Sequence, residues 1–246
     1  MSGVTWLGHS TVVVDLDGTR VVTDPVLRRR VFHLRREAPV EDELVAGLDA
    51  ILVSHTHFDH LDLRSLRRLD HAATVLAPHG AGGLVRRRGF RHVVELAAGD
   101  TLELGSVTVR ATHAVHESSR GPLSKSTPAL GYLLEGSATV YFAGDTDIFD
   151  GMRELGPVDV ALIPIWGWGP KLGPGHLDPR RAAEALTLVR PRIVIPIHWG
   201  TFWTPFADRP DDSRAQEFIR HADELAPEVE VRVLRHGETL ALEAVR

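Results

Sequence analysis

The chain contains no cysteine among its 246 residues, and that absence removes several chemistries at once. Without thiols there is no disulfide framework, no thiolate zinc site and no cysteine nucleophile. Any transition metal must be held by imidazole and carboxylate. Long apolar runs are missing too. A membrane-spanning helix needs roughly 18 or more apolar residues, and the longest candidate, at 158–166, is interrupted by Asp159 and Pro164. The amino-terminal stretch lacks a positive n-region, and Asp15 and Asp17 cut its apolar run short. The expectation is therefore a cytoplasmic protein without a secretory leader. An excess of positive charge is also lacking, since 28 Lys+Arg against 33 Asp+Glu gives a formal net charge of −5. That balance argues against a general nucleic-acid binder, whose domain is usually basic. Lysine itself is scarce: only Lys125 and Lys171 interrupt an otherwise all-arginine set of basic residues.

What is present is a strand-rich pattern. Residues 4–7, 11–16 and 20–23 alternate or run β-branched, with Asp17-Gly18 as a hairpin turn. Further strands are expected at 50–53, 74–77, 93–96, 101–104 and 107–112, and again at 129–134, 139–143, 158–164, 192–197, 229–234 and 239–242. Helices are expected at 42–47, at 63–69 behind an Asp62 cap, and at 82–88. Two more follow at 179–189, where Asp178 caps and Pro179 takes the first helical position, and at 213–225. Residues 113–128 show no period and read as a long loop, a length uncommon unless functional or disordered. No repeat or linker divides the chain. It reads as one α/β domain over 1–246, with two sheets face to face and helices outside.

Histidine is abundant, at 14 residues. Six of them, His33, His71, His79, His92, His221 and His236, stand singly in polar or helical surroundings and read as solvated or hydrogen-bonded imidazoles. The other eight, His9, His55, His57, His60, His113, His116, His176 and His198, fall at or beyond strand ends or in Gly/Pro loops. Layered folds gather their site residues there. The strongest unit is His55-Thr56-His57-Phe58-Asp59-His60. Positions two apart in extended backbone point the same way, so His55 and His57 can grip one cation. A turn beyond them lets Asp59 and His60 face a second position. Neutral imidazoles suit Zn²⁺ and similar ions, and the carboxylate compensates charge. Gly144-Asp145 alone is a common turn. Together with His198, at the end of the 192–197 strand, it supplies a bridging carboxylate and a last imidazole for a two-metal centre.

These motifs resemble the metallo-β-lactamase-fold hydrolases, whose HxHxDH signature is matched at 55–60 without departure. Trp6-Leu7-Gly8-His9-Ser10-Thr11, Thr23-Asp24-Pro25, Gly144-Asp145-Thr146, Gly175-His176-Leu177-Asp178-Pro179 and His198-Trp199-Gly200-Thr201-Phe202 narrow the resemblance. They are similar to the branch containing N-acyl-phosphatidylethanolamine phospholipase D and the L-ascorbate-6-phosphate lactonase-like proteins. The resemblance implies a four-layer αββα sandwich of two mixed sheets. It also implies two divalent metal ions, zinc first, with manganese, iron or nickel also suited. His55, His57, Asp145 and a histidine of the 113–116 segment would hold the first metal. The branch's pattern favours His116, with His113 standing where proline is usual and contacting substrate or ligands from behind. Asp59, His60, Asp145 and His198 would hold the second.

A hydroxide bridging the metals would be the nucleophile, with Asp59 and His176 in catalytic roles. His9, His113, Arg120, Lys125 and Trp168 are the expected substrate-binding residues, the two cations because the 113–128 loop should overhang the site. The redox type of this fold usually has Glu where His57 stands, so hydrolysis is favoured. The basic runs 28–30, 35–36 and 86–88 are candidates to clamp a phosphate or meet anionic lipid, but in a chain of acidic total charge they read first as solvated faces or oligomer contacts. The expected activity is hydrolysis of a small, anionic or neutral ester, lactone or phosphodiester. The alternatives are a nuclease of the same fold, disfavoured by charge and size, and a non-catalytic metal-binding protein, which has no need to keep both metal positions.

Overall fold

The computed structural model describes residues 2–119, 126–169, 171–204 and 209–242. β1 (Gly3–Gly8), β2 (Thr11–Leu16) and β3 (Thr19–Thr23) form an antiparallel meander. A small hairpin follows, β4 (Arg30–Val31) and β5 (Leu34–Arg36). β6 (Ala50–Leu52), β7 (Thr74–Pro78) and β8 (Val93–Leu96) then continue the first sheet, parallel to β3. The second sheet begins antiparallel, with β9 (Thr101–Leu104), β10 (Val107–His113), β11 (Leu130–Glu135) and β12 (Thr139–Phe142). It turns parallel at β13 (Val160–Pro164) and β14 (Ile193–Ile197). β15 (Phe202–Trp203) pairs with β5, β16 (Glu230–Val231) extends the second sheet, and β17 (Thr239–Ala241) closes the first beside β1. Each large sheet has seven strands, ordered β17-β1-β2-β3-β6-β7-β8 and β16-β14-β13-β12-β11-β10-β9. These are the two mixed sheets of an αββα sandwich.

The period-two pattern decides which residues meet. Val12, Val14 and Leu16 of β2 face the second sheet and share a core with Leu130, Tyr132 and Leu134, while Val13 joins the outer cluster with Val22 and Ile51. β13 and β14 are buried at every residue because helices cover their other face, which is why they read as unbroken apolar runs. Those helices are α2 (Pro179–Val189) and α3 (Ser213–Leu225), which contribute Ala182, Leu186, Phe218 and Ala222 to the same core. Asp178 caps α2 by accepting from Arg181 N, as its sequence predicts.

The outer layer over the first sheet is thinner than expected. The 42–47 and 63–69 helices reduce to single 3₁₀ turns, Asp42–Val45 and Ser65–Arg68, and α1 spans only Gly82–Arg86. Four or five residues cannot offset the cost of nucleating a longer helix, and a single turn suffices to bury Leu66 and Val45. Asp62 still accepts from Ser65 N at 3.1 Å. Among the described residues no helix is long and apolar enough to cross a membrane.

Candidate metal centre

The parallel strands of both sheets end on one side, and the loops beyond their carboxyl ends carry the site, the usual place in such sheets. β3 runs into Asp24, β6 into Ser54-His55, β12 into Asp145 and β14 into His198. Gly144 allows the two sheets to converge there. Its φ is +63°, and a Cβ would lie 2.8 Å from Ser54 Cβ and 2.9 Å from the Leu130 carbonyl oxygen. Only glycine brings Asp145 across to the histidines of the other sheet. His9 and His198 adopt left-handed backbone, φ +54° and +64°, and His198 N donates to the His9 carbonyl at 3.0 Å. Strain at two adjacent non-glycine residues is characteristic of functional sites.

Three imidazole nitrogens converge at one position: His57 Nδ1 lies 3.1 Å from both His55 Nε2 and His116 Nε2. At a second, His60 Nε2 lies 3.0 Å from His198 Nε2, with His9 and Asp59 completing the group. Asp145 stands between them. Its Oδ2 is 3.1 Å from His60 Nε2 and 3.9 Å from His55 Nε2, and its Oδ1 is 3.1 Å from His198 Nε2. His176 approaches the same carboxylate, with Nε2 3.3 Å from Oδ2. Asp59 Oδ2 receives two contacts, His9 Nε2 at 3.1 Å and the Trp168 indole N–H at 3.0 Å.

Burial keeps His55 well below its usual range, lowers His57, and holds His116 down to about 4. Burial and the neighbouring His198 take His9 down to about 3. These rings are neutral near pH 7 and carry lone pairs. Burial works against ionisation of Asp59 and Asp145, yet the surrounding imidazoles outweigh it and hold both carboxyls well below the ordinary range. His60 shows the opposite balance. Burial disfavours its charge, but Asp145 and Asp59 draw it well above 6.5.

The donor set thus gathers carboxylates and lone pairs around positions that call for positive charge. Asp145 Oδ1 is the sharpest sign: it is buried and makes no hydrogen bond among the described residues, although His198 Nε2 is beside it. A ring nitrogen and a carboxylate oxygen facing each other fit a shared cation, and imidazole with carboxylate suits zinc and its neighbours.

Not every expected residue stands in the same place. His116 belongs to the three-imidazole group, whereas His113 ends β10 with its ring on Phe149, 5.1 Å between centroids. His9 is buried with its Nε2 on Asp59 Oδ2 inside the second group, so it stands among the candidate ligands and not on the wall of the cleft over the centre. Arg120 and Lys125 lie outside the described residues. Trp168 and His176 line a cleft of about 450 Å³ over the centre, together with Phe32, His33 and Phe58. His33, which reads from sequence as a solvated imidazole, is part of that wall, its ring 5.3 Å from Trp168.

The residue that sequence reasoning left without a role is Asp24. It is fully buried, accepts from Ser54 N at 2.7 Å and lies 2.7 Å from His60 Nδ1. A carboxylate behind a metal-binding imidazole fixes the tautomer that leaves Nε2 free. The signal was available in Thr23-Asp24-Pro25, a carboxylate at the end of a buried strand.

Fold and site together define a metal-dependent hydrolase of the metallo-β-lactamase superfamily. The chain belongs to that family, matching the beta-lactamase superfamily domain over residues 19–199. It is 36% identical over 248 residues to a metal-dependent hydrolase of Rubrobacter xylanophilus, with 96% of this chain and 95% of the relative covered. It is 34% identical over 227 residues to N-acyl-phosphatidylethanolamine-hydrolyzing phospholipase D 1 of Caenorhabditis elegans, covering 80% of this chain and 64% of that one. Among solved structures, Igni18, a metallo hydrolase from the archaeon Ignicoccus hospitalis, matches with a TM-score of 0.75 at 27% identity, and 98% of each chain is covered.

Proposed function

We propose that the chain hydrolyses a small ester, lactone or phosphodiester at a centre of two divalent cations, zinc or a similar ion. The observation that carries this reading is the position of Asp145 between the His55, His57 and His116 set and the His60, His198 and Asp59 set. His55, His57, His116 and Asp145 would hold one cation, and Asp59, His60, Asp145 and His198 the other. When bound, such ions polarise a carbonyl or phosphoryl oxygen and lower the pKa of water.

The chain's own residues do the rest. His9 Nε2 and the Trp168 indole N–H both contact Oδ2 of Asp59, which fixes the carboxylate in place to orient the attacking water and collect its proton. His176 lines the cleft beside Asp145 and is drawn above its usual pKa by that carboxylate, although burial opposes it. It is placed to protonate the leaving group. Phe32, Phe58 and Trp168 wall the cleft, exclude water and accept the apolar part of the substrate. The core shared by both sheets supports reading residues 1–246 as one hydrolase unit.

The test combines metal analysis with a panel of a bis-aryl phosphate, a lactone and an aryl ester. About two equivalents of metal per chain are expected, with at least one class hydrolysed. Chelation should abolish that activity and added metal restore it, and His55→Ala and Asp145→Asn should fall to the chelated level. Undiminished hydrolysis by chelated protein or by both variants refutes the reading.

A further inference from the structure

A second cleft, of about 600 Å³, shares Phe32 and Phe58 with the first, so this aromatic pair is their common wall. The two rings meet edge to face with centroids 4.3 Å apart. Phe32 is the two-residue turn's first position between β4 and β5. It takes φ +52° and remains 62% exposed. A bulky side chain in left-handed backbone, presented to solvent, is costly for folding and points to use.

The far side of this wall is lined by Arg28, Arg30, Arg64 and Arg88, against one carboxylate, Asp62. Asp62 is consumed by Arg28 in a two-pronged pair, Nε to Oδ2 at 2.6 Å and Nη2 to Oδ1 at 3.0 Å, and is itself held by Ser65 Oγ at 2.6 Å. Arg30 uses Nε on the Phe32 carbonyl at 3.1 Å, tying it to the hairpin tip. Among the described residues Arg30, Arg64 and Arg88 have no carboxylate partner, and Arg88 Nε is buried without a hydrogen bond. Three uncompensated guanidinium groups thus share one cleft in a chain of net charge −5. Cationic groups that line one cleft without carboxylate partners make it favourable to an anion. Their forked donors match the oxygens of a phosphate, which can carry two negative charges.

We infer that this cleft is an anion subsite that binds a phosphate group carried by the substrate at a distance from the bond that is cleaved. The apolar segment between phosphate and scissile bond crosses the Phe32–Phe58 wall. The inference rests on the hydrolase reading above, because the metal centre is where the other end of the substrate lies. The phosphate belongs either to a soluble phosphorylated compound or to a phospholipid headgroup.

The experiment uses metal-loaded full-length protein and calorimetric titration with hexyl phosphate and with hexanol. Wild type should bind hexyl phosphate at least tenfold more tightly than hexanol, with affinity falling as salt is added. Arg64→Gln/Arg88→Gln should weaken hexyl phosphate about tenfold, close to 1.4 kcal/mol. Arg180→Gln, an exposed arginine paired with Glu184 on α2, is the control and should bind as wild type. Arg64→Gln alone, at an exposed position, carries the test if the double variant does not fold.

Sedimentation with phosphatidylcholine vesicles, with and without phosphatidic acid, separates the two sources. Arginine-dependent vesicle binding assigns the headgroup, and hexyl phosphate binding without it assigns the soluble compound. Equal binding by wild type and the arginine variants, or no preference over hexanol, overturns the inference. Arginine-dependent phosphate binding by a protein that hydrolyses none of the panel would leave the subsite standing and sink the proposed activity. Hydrolysis of a neutral aryl ester with arginine-independent binding would do the reverse.

Discussion

Replacing Asp24 with Asn tests how the centre is held from behind. The substitution keeps volume and shape, so no cavity contributes. Asp24 presents two acceptor oxygens: Oδ1 to Ser54 N at 2.7 Å, and Oδ2 to both Ser54 Oγ and His60 Nδ1, the latter at 2.7 Å. Burial raises the Asp24 pKa while His60 and Ser54 pull it down, so the carboxyl and the imidazole compete for one proton between them. An amide has one acceptor and one donor head. Whichever way it is turned, its NH₂ faces a donor, either Ser54 N–H or the His60 Nδ1–H. One buried donor is then left unsatisfied, at a cost of about 1–3 kcal/mol. For a chain of this size that lowers Tm by on the order of 5 °C in chelator. If the amide turns toward His60, the ring loses the contact that keeps Nε2 unprotonated, and metal affinity should fall about 10–100-fold. The two effects separate experimentally: thermal unfolding in chelator reads the first, and competition against a chromophoric zinc chelator reads the second. A variant with wild-type melting in chelator and zinc affinity within about twofold of wild type would falsify the role assigned to Asp24.

Two other perturbations follow from different parts of the fold. His236 is held down to about 4, first by burial and then by Arg36, and its Nε2 lies 3.0 Å from Thr201 Oγ1. Because the folded value lies below the unfolded 6.5, the unfolded chain binds the extra proton, and stability is lost as pH falls from about 6.5 to about 4. A fully buried group would contribute about 3 kcal/mol across that window, and partial exposure reduces this to about 1–2 kcal/mol. His236→Gln should flatten the pH dependence of denaturant unfolding by that amount, and parallel curves for the two proteins would contradict it. Gly131→Ala places a Cβ 2.5 Å from Thr112 Oγ1 and 2.9 Å from the Phe142 carbonyl oxygen, the latter on the backbone of β12. Overpacking there should cost about 1–3 kcal/mol or more, read as a lowered Tm; an unchanged Tm would show that the strands part freely.

The metal-ligand motif and the cleft around it differ in how they are written into the chain. His55, His57, Asp59 and His60 are legible because a strand end and one turn set their spacing, so six consecutive residues contain the information. Asp24 is 36 residues from His60 and meets it only because β3 and β6 pair in parallel, with Val21 opposite Ala50 and Thr23 opposite Leu52. The hairpin β4–β5 is less legible still. Strands of two and three residues carry no period, and the element that flanks them, β15, lies more than 160 residues further along, where Phe202 pairs with Arg36. Sequence reasoning also places arginines 35 and 36 on a solvated face or oligomer contact. Arg36 is instead buried, its guanidinium bonded to the carbonyls of Val26, Ala38 and Leu7, with burial pulling its pKa to about 10. That single side chain ties the hairpin to the end of β1 and so sets where Phe32 and His33 stand.

Chemistry and selectivity therefore rest on different kinds of information. The proposed ligands follow from local spacing and strand ends. The walls proposed to choose a substrate are a short hairpin, the Trp168 indole and a row of arginines, and each is placed by contacts distant in sequence. Arg36 anchors the 30–36 hairpin through backbone carbonyls and not through the candidate ligands, while His33 at its tip packs on Trp168, which donates to Asp59. Relatives that share the HxHxDH signature thus need not share a substrate, and selectivity in this protein should respond to Phe32, Arg64 and Arg88 more than to any residue of the signature.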